Sequence, residues 1–186
     1  MGNSSDSPDH LIAERLRQLR AERGWSLDHL AQQSGVSRAT LSRLENAEVS
    51  ATAAVLGKLC AIYGLTLSRL MFLAEETFTP LVRADAQPVW RDGQAGFTRR
   101  SVSPPAAKLA GEVIDCRLAP SARIAYEHPP RAGLEHHLVM IEGELTLTID
   151  GVRHMLRAGD CLRYRLFGAS LFETGGEAAR YFLFTV

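Results

Sequence analysis

The chain has 186 residues, 46% of them hydrophobic and 23% charged, with 21 basic and 21 acidic side chains that cancel to no net charge. That length accommodates a small helical domain plus a second core of about a hundred residues, and no run approaches the roughly 18 apolar residues that a membrane span needs. The first ten residues are polar and carry no signal-peptide core, so a cytoplasmic protein is expected.

Residues 1–8 read as a disordered leader, with Ser7 and Pro8 able to serve as cap and first turn of a helix over Leu11–Arg23. Ser26 then caps a second helix whose apolar positions Leu27, Leu30 and Ala31 recur at three- and four-residue spacing, and Gly35 supplies the left-handed backbone that ends it. Ser37 caps a third helix that buries Leu41 and Leu44. Its other face carries Arg38, Ala39, Thr40, Ser42 and Arg43, a surface of donors and small groups with no acid before Glu45. A fourth helix follows Ser50 with Val55, Leu59 and Ile62 as its stripe, and a fifth runs from Thr66 through Leu67, Leu70 and Met71.

Two short helices around a glycine-centred turn put one of them in position to enter a DNA groove. The phrases Gly35-Val36-Ser37 and Leu41-Ser42-Arg43-Leu44-Glu45-Asn46 resemble the helix-turn-helix domains of phage repressors and of the Xre family of bacterial regulators. The resemblance covers residues 10–75 and implies five short-linked helices with double-stranded operator DNA as the partner. It puts Arg38, Ala39 and Arg43 at base-reading positions, with Ser42 on the same exposed face. Ser37, Thr40 and Asn46 fall where the family holds phosphates, and Gln32 and Gln33 are weaker candidates. An all-helical interaction bundle or an RNA-contacting variant is the competing reading.

Between residues 9 and 75 eight bases (Arg15, Arg17, Arg20, Arg23, Arg38, Arg43, Lys58, Arg69) face seven acids (Asp9, Glu14, Glu22, Asp28, Glu45, Glu48, Glu75). Phosphate attraction supplies most sequence-independent affinity, so a near-neutral domain needs two copies on DNA and a few well-aimed contacts. A homodimer on a two-fold operator is expected.

Helical spacing gives way to period-two alternation beyond Pro80, punctuated by Pro104-Pro105, Pro129-Pro130, Asp150-Gly151 and Gly175-Gly176. The division is a helix-turn-helix domain over 9–75, a linker over 76–88 and a β domain over 89–186. Strands are expected at Val113–Leu118, Arg123–Tyr126, His136–Ile141, Cys161–Tyr164, Ser170–Glu173 and Arg180–Phe184. Asp150-Gly151 closes a two-residue hairpin pairing Ile149 with Val152, Leu147 with His154 and Leu145 with Leu156. Cys60, Cys116 and Cys161, odd in number and set in apolar stretches, read as buried thiols rather than disulfides or a zinc site.

Ile141-Glu142-Gly143-Glu144-Leu145 and Arg157-Ala158-Gly159-Asp160 are similar to the two motifs of the cupin superfamily, over about residues 108–186. The resemblance implies a double-stranded β-helix around a pocket, so the chain as a whole is expected to be α+β, five helices followed by an all-β barrel. The family often holds a metal with two histidines and a glutamate from the first motif and one histidine from the second. Here the glutamate position falls on His136, the histidine pair near Pro130-Arg131 with His128 close by, and the second-motif histidine on Ser170. No cofactor is therefore assigned. A makeshift metal site from His128, His136 and His154, with Glu135 near, stays open beside a metal-free pocket.

Alignment and strand parity together nominate Tyr126, His128, His136, Met140, Tyr164, Ser170, Phe172 and Phe182 as a small-molecule pocket, each of them alternatively barrel core. Arg163 and Arg165 could attract an anionic effector or simply solvate the surface. Three functions follow: a regulator whose barrel senses an effector, dimerises the chain, or both; a metal-dependent dioxygenase or isomerase carrying a DNA-binding module; and a barrel that only dimerises.

Overall fold

In the computed structural model the described residues are 8–71, 79–106 and 109–186. Ser7 and the leader 1–7, Glu75, and the start of the expected linker lie outside them. Five helices, α1 (Pro8–Glu22), α2 (Leu27–Ser34), α3 (Arg38–Glu45), α4 (Ala53–Tyr63) and α5 (Leu67–Met71), precede ten strands. Pro8, read above as part of the leader, opens α1, where its missing N–H costs no hydrogen bond.

The helix boundaries follow local chemistry. Ser26 Oγ accepts from His29 N and Ser37 Oγ from Thr40 N, and Gly35, at φ 65°, ends α2 in the left-handed region. The cap of α4 is Thr52, and its buried stripe is Ala53, Leu56, Leu59, Cys60 and Tyr63 rather than Val55, Leu59 and Ile62. The stripe moves because α4 is covered on two sides, by the helical bundle and by the barrel, so the face with the largest aliphatics is no guide to the buried one.

The strands are β1 (Val89–Asp92), β2 (Phe97–Ser103), β3 (Glu112–Leu118), β4 (Arg123–Tyr126), β5 (Leu134–Glu142), β6 (Glu144–Ile149), β7 (Val152–Arg157), β8 (Cys161–Leu166), β9 (Ser170–Glu173) and β10 (Ala179–Thr185). They form a six-stranded sheet ordered β1-β2-β3-β10-β5-β8 and a four-stranded sheet ordered β4-β9-β6-β7. Ile114, Cys116, Leu138, Tyr181 and Leu183 of the first sheet and Ile124, Leu145, Leu147 and Phe172 of the second are all buried. Two antiparallel sheets closed on such a core make a jelly-roll barrel of the cupin type. β1 and β2 extend it beyond the strands named from alternation.

Asp150 (φ 49°) and Gly151 (φ 82°) make the turn of the β6–β7 hairpin, with Ile149 opposite Val152, Leu147 opposite His154 and Leu145 opposite Leu156. Gly143 allows a close crossing: a Cβ there would lie 2.0 Å from the Ala178 carbonyl oxygen. Cys60 and Cys116 are buried, but Cys161 is exposed, correcting its reading as a buried thiol. It opens β8, an edge strand, on the same outer face as exposed Arg163 and Arg165.

The helices and barrel share one continuous core. Gly57 of α4 sits against the Tyr126 ring, where a Cβ would come within 2.5 Å of Cδ1. The Asp92 carboxylate at the end of β1 accepts from Ala53 N at 2.8 Å, Glu112 of β3 accepts from Thr66 Oγ1 at 3.0 Å, and Arg99 of β2 donates to Ser68 Oγ at 2.8 Å.

Candidate functional site

The first candidate surface is α3. Its inner residues Leu41 and Leu44 are buried, and Glu45 is buried with them in a two-pronged pair with Arg20 of α1, at 2.8 and 2.7 Å. Read from sequence as the first acid on the exposed side, Glu45 instead ties α3 to α1. Arg38, Ala39 and Arg43 are exposed, with Ser42 partly so. Arg38 Nε lies 3.2 Å from Asp28 of α2, in a pair so exposed that it contributes little to stability. Ser37 and Thr40 hydroxyls are 2.8 Å apart at the helix start, and the Asn46 side chain accepts from Arg17 at 3.3 Å at the other end. The helix thus offers an arginine from each of its two halves, with acceptors and donors at both ends, on a face left exposed among the described residues. Gln32 and Gln33 are exposed on α2.

The second is a cavity of about 90 Å³ between the barrel and the helical layer. Tyr126, His128, His136, Ser170 and Phe172 line it. Met140, Tyr164 and Phe182 do not, which corrects their place in the nominated lining. Met140 is fully buried where β5 meets the turn after β7, its N and O bonded to Asp160 and Gly159 at 2.9 and 3.0 Å. Tyr164 stands beside His136, its hydroxyl 3.1 Å from Nδ1. Phe182 is one residue out of phase: Tyr181 and Leu183 pair with Met140 and Leu138 on the inner face, leaving Phe182 outside under Arg180.

Burial, with the Arg99 charge and His137 adding to it, pushes the His136 imidazole down to about 4, so it is neutral at physiological pH. Burial likewise pushes the Cys60 thiol up to about 12 and the Cys116 thiol up to about 11. Glu135 turns outward and meets His137 at 2.9 Å. His154 is half-buried on β7, opposite Leu147. Among the described residues no group of three or more His, Cys, Asp or Glu side chains converges. The donor set, two histidines and two protonated thiols with no carboxylate on the wall, does not fit the metal that cupins often carry, and neither His128, His136 and His154 nor Glu135 assemble into a site.

Sequence reasoning missed most of this wall. Gly57, Cys60, Thr66 and Leu67 come from α4 and the start of α5, and Phe97 and Arg99 from β2. Parity from Phe97 places Arg99 on the inner face, but no pattern in the chain announces that helices of the first domain close the barrel. Arg163 and Arg165, proposed as anion attractors, point outward from β8, and Arg165 donates to the Gly133 carbonyl at 3.2 Å.

Residues 11–70 match the family model described as "Helix-turn-helix domain". The chain is 30% identical over 171 residues to the HTH-type transcriptional regulator SutR of Escherichia coli K12, covering 92% of this chain and 91% of that protein. It is 29% identical over 150 residues to the HTH-type transcriptional regulator PuuR of the same strain, covering 78% of each. A crystal structure of an HTH_3 family transcriptional regulator from Vibrio cholerae has the same fold, with TM-score 0.75 at 24% identity over 96% of each chain. None of the described helices is long and apolar enough to cross a membrane. With a helix-turn-helix domain leading into a jelly-roll barrel, the chain belongs to the HTH-type transcriptional regulators.

Proposed function

We propose that the protein is a homodimeric, effector-responsive regulator that reads a two-fold operator through α3 and senses a small molecule in its barrel. The DNA-binding module is residues 9–75, the linker 76–88 and the sensor 89–186. Arg38, Ala39, Ser42 and Arg43 face bases, while Ser37, Thr40 and Asn46 hold phosphates. The near balance of charge in residues 9–75 supports two copies on DNA. A regulator of chromosomal genes works in the cytoplasm, and we place it there on that ground.

One observation carries the sensor reading: the cavity wall is built jointly by α4, α5 and the barrel. An occupant touches both layers, so it favours one seating of the DNA-binding module over another, and that difference is what an effector needs to change operator affinity. Regulation is favoured over cupin-type catalysis because the metal donors do not converge and the full-length relatives are regulators.

Selection from a random duplex library, followed by titration, tests the DNA reading. Arg38→Ala and Arg43→Ala should each cost roughly 1–3 kcal/mol on the selected operator and much less on random duplex. Equal losses on both duplexes would reduce these arginines to phosphate contacts. Native mass spectrometry of freshly purified protein tests the rest. A dimer carrying a small molecule that the His136→Ala, Ser170→Ala double variant lacks is expected. An empty monomer would sink the sensor and dimer readings together.

A further inference from the structure

The cavity wall carries one permanently charged side chain. Among the described residues Arg99 is the sole arginine or lysine on the lining, and no aspartate or glutamate accompanies it. It leaves β2 on the inner face, flanked in the sheet by Trp90 and Cys116. One terminal nitrogen donates to Ser68 Oγ at 2.8 Å, while Nε is buried without a partner. Its neighbour Arg100, on the outer face, meets Asp115 at 2.7 Å, and no ion pair among the described residues involves Arg99. Neither Asp92 nor Glu112 pairs with it. Asp92 accepts from the Ala53, Gln94 and Ala95 amides, and Glu112 from Thr66 and, at 3.6 Å, Arg69.

A guanidinium held in an apolar pocket without a counter-ion is a waiting half of a charge-assisted pair, and its planar fork suits a carboxylate. Thr185 Oγ1, also on the wall and buried without a partner, offers a second donor. The rest of the surface is chiefly apolar, including Phe97, Ile114, Leu134 and Leu183. Since a water-sized unit needs about 10–15 Å³, 90 Å³ admits an organic molecule of about six to nine heavy atoms.

Resting on the sensor reading above, we infer that the cavity binds a short-chain carboxylate, its carboxylate on Arg99 and its apolar tail against Phe97, Ile114 and Leu183. The ligand competes with Ser68 for the same guanidinium, so binding acts directly on a link between barrel and helices.

The test is isothermal titration of the full chain with n-butyrate, butyramide, n-butylamine and inorganic phosphate at constant ionic strength. Butyrate should bind at least tenfold more tightly than the neutral isostere and the other two probes. Arg99→Gln should abolish that preference, Arg99→Lys should keep part of it, and Arg117→Gln, on the exposed side of β3, should keep all of it. Glu112, buried nearby with Oε2 unpaired, makes preference for the amine the opposite result. Preference for butylamine, butyramide or phosphate would overturn the carboxylate assignment, as would binding of none of the four or an unchanged preference in Arg99→Gln. The sensor reading has a separate readout. A Ser170→Phe variant that fills the cavity should alter operator affinity even if the ligand class is wrong. If it does not, the sensor reading fails independently of Arg99.

Discussion

His136 is a titratable group held neutral inside the barrel, and this has a signed consequence. Burial lowers its folded value from 6.5 to about 4. Between those values the unfolded chain binds a proton that the folded chain refuses, so stability falls as the pH drops from about 6.5 to about 4. The shift corresponds to about 3 kcal/mol across that window. His136→Gln keeps a hydrogen-bonding partner for Tyr164 but removes the titration. Urea unfolding at pH 7 and again just above pH 4 should therefore show a shallower loss in the variant than in the wild type. Identical pH slopes would mean that His136 is not held neutral. The cysteines divide on the same principle: Cys60 and Cys116 are kept protonated by burial, while Cys161 meets solvent.

The orientation of α3 rests on a clamp between elements. Arg20 of α1 grips Glu45 of α3 through two hydrogen bonds and also donates to the Trp25 carbonyl at 3.0 Å, just before α2. Three elements meet on one guanidinium. The Glu45 side chain is only 6% exposed and that of Arg20 20%, so removal of one partner strands a poorly solvated charge. Glu45→Ala should cost about 3 kcal/mol in equilibrium unfolding, and the Arg20→Met, Glu45→Met pair distinctly less. If the single substitution fell within experimental error of wild type, the clamp would have no part in holding α3. Ser37→Ala is a different case, because it removes both a cap and an expected phosphate contact. Its effect on stability must be measured beside its effect on binding.

At the level of the whole molecule, the barrel and helices are joined by groups that would otherwise be unpaired. The Asp92 carboxylate, buried, takes the Ala53 amide at the N-terminal end of α4 while its other oxygen orders the turn at Gln94 and Ala95. Asp92→Ala should therefore loosen the seat of α4 on the barrel. Native-state hydrogen exchange of the α4 amides should rise at least tenfold relative to those of β6, which contributes nothing to the cavity wall. Unchanged protection would show that packing of Gly57 on Tyr126 suffices by itself to hold the two layers.

Much of this molecule is determined locally. Ser26, Gly35 and Ser37 bound α2 and α3 through side-chain caps and one left-handed residue, and Asp150-Gly151 sets the β6–β7 register, because each depends on neighbours a few positions away. Period-two alternation likewise carried His136 and Ser170 to the inner face of the barrel, where both line the cavity. The tertiary structure decided the rest. Tyr181 rather than Phe182 faces inward because β10 pairs Tyr181 with Cys116 of β3 and Met140 of β5, and with large apolar or aromatic residues on both faces of the strand, its own alternation does not say which face is covered. Glu45 became a buried partner of Arg20 across 25 residues. Above all, the cavity is closed by α4 and the start of α5 against Arg99 and Tyr126, helices and strands far apart in the chain. Local periodicity says which face of each element seeks cover, but which surface provides that cover depends on how distant segments pack.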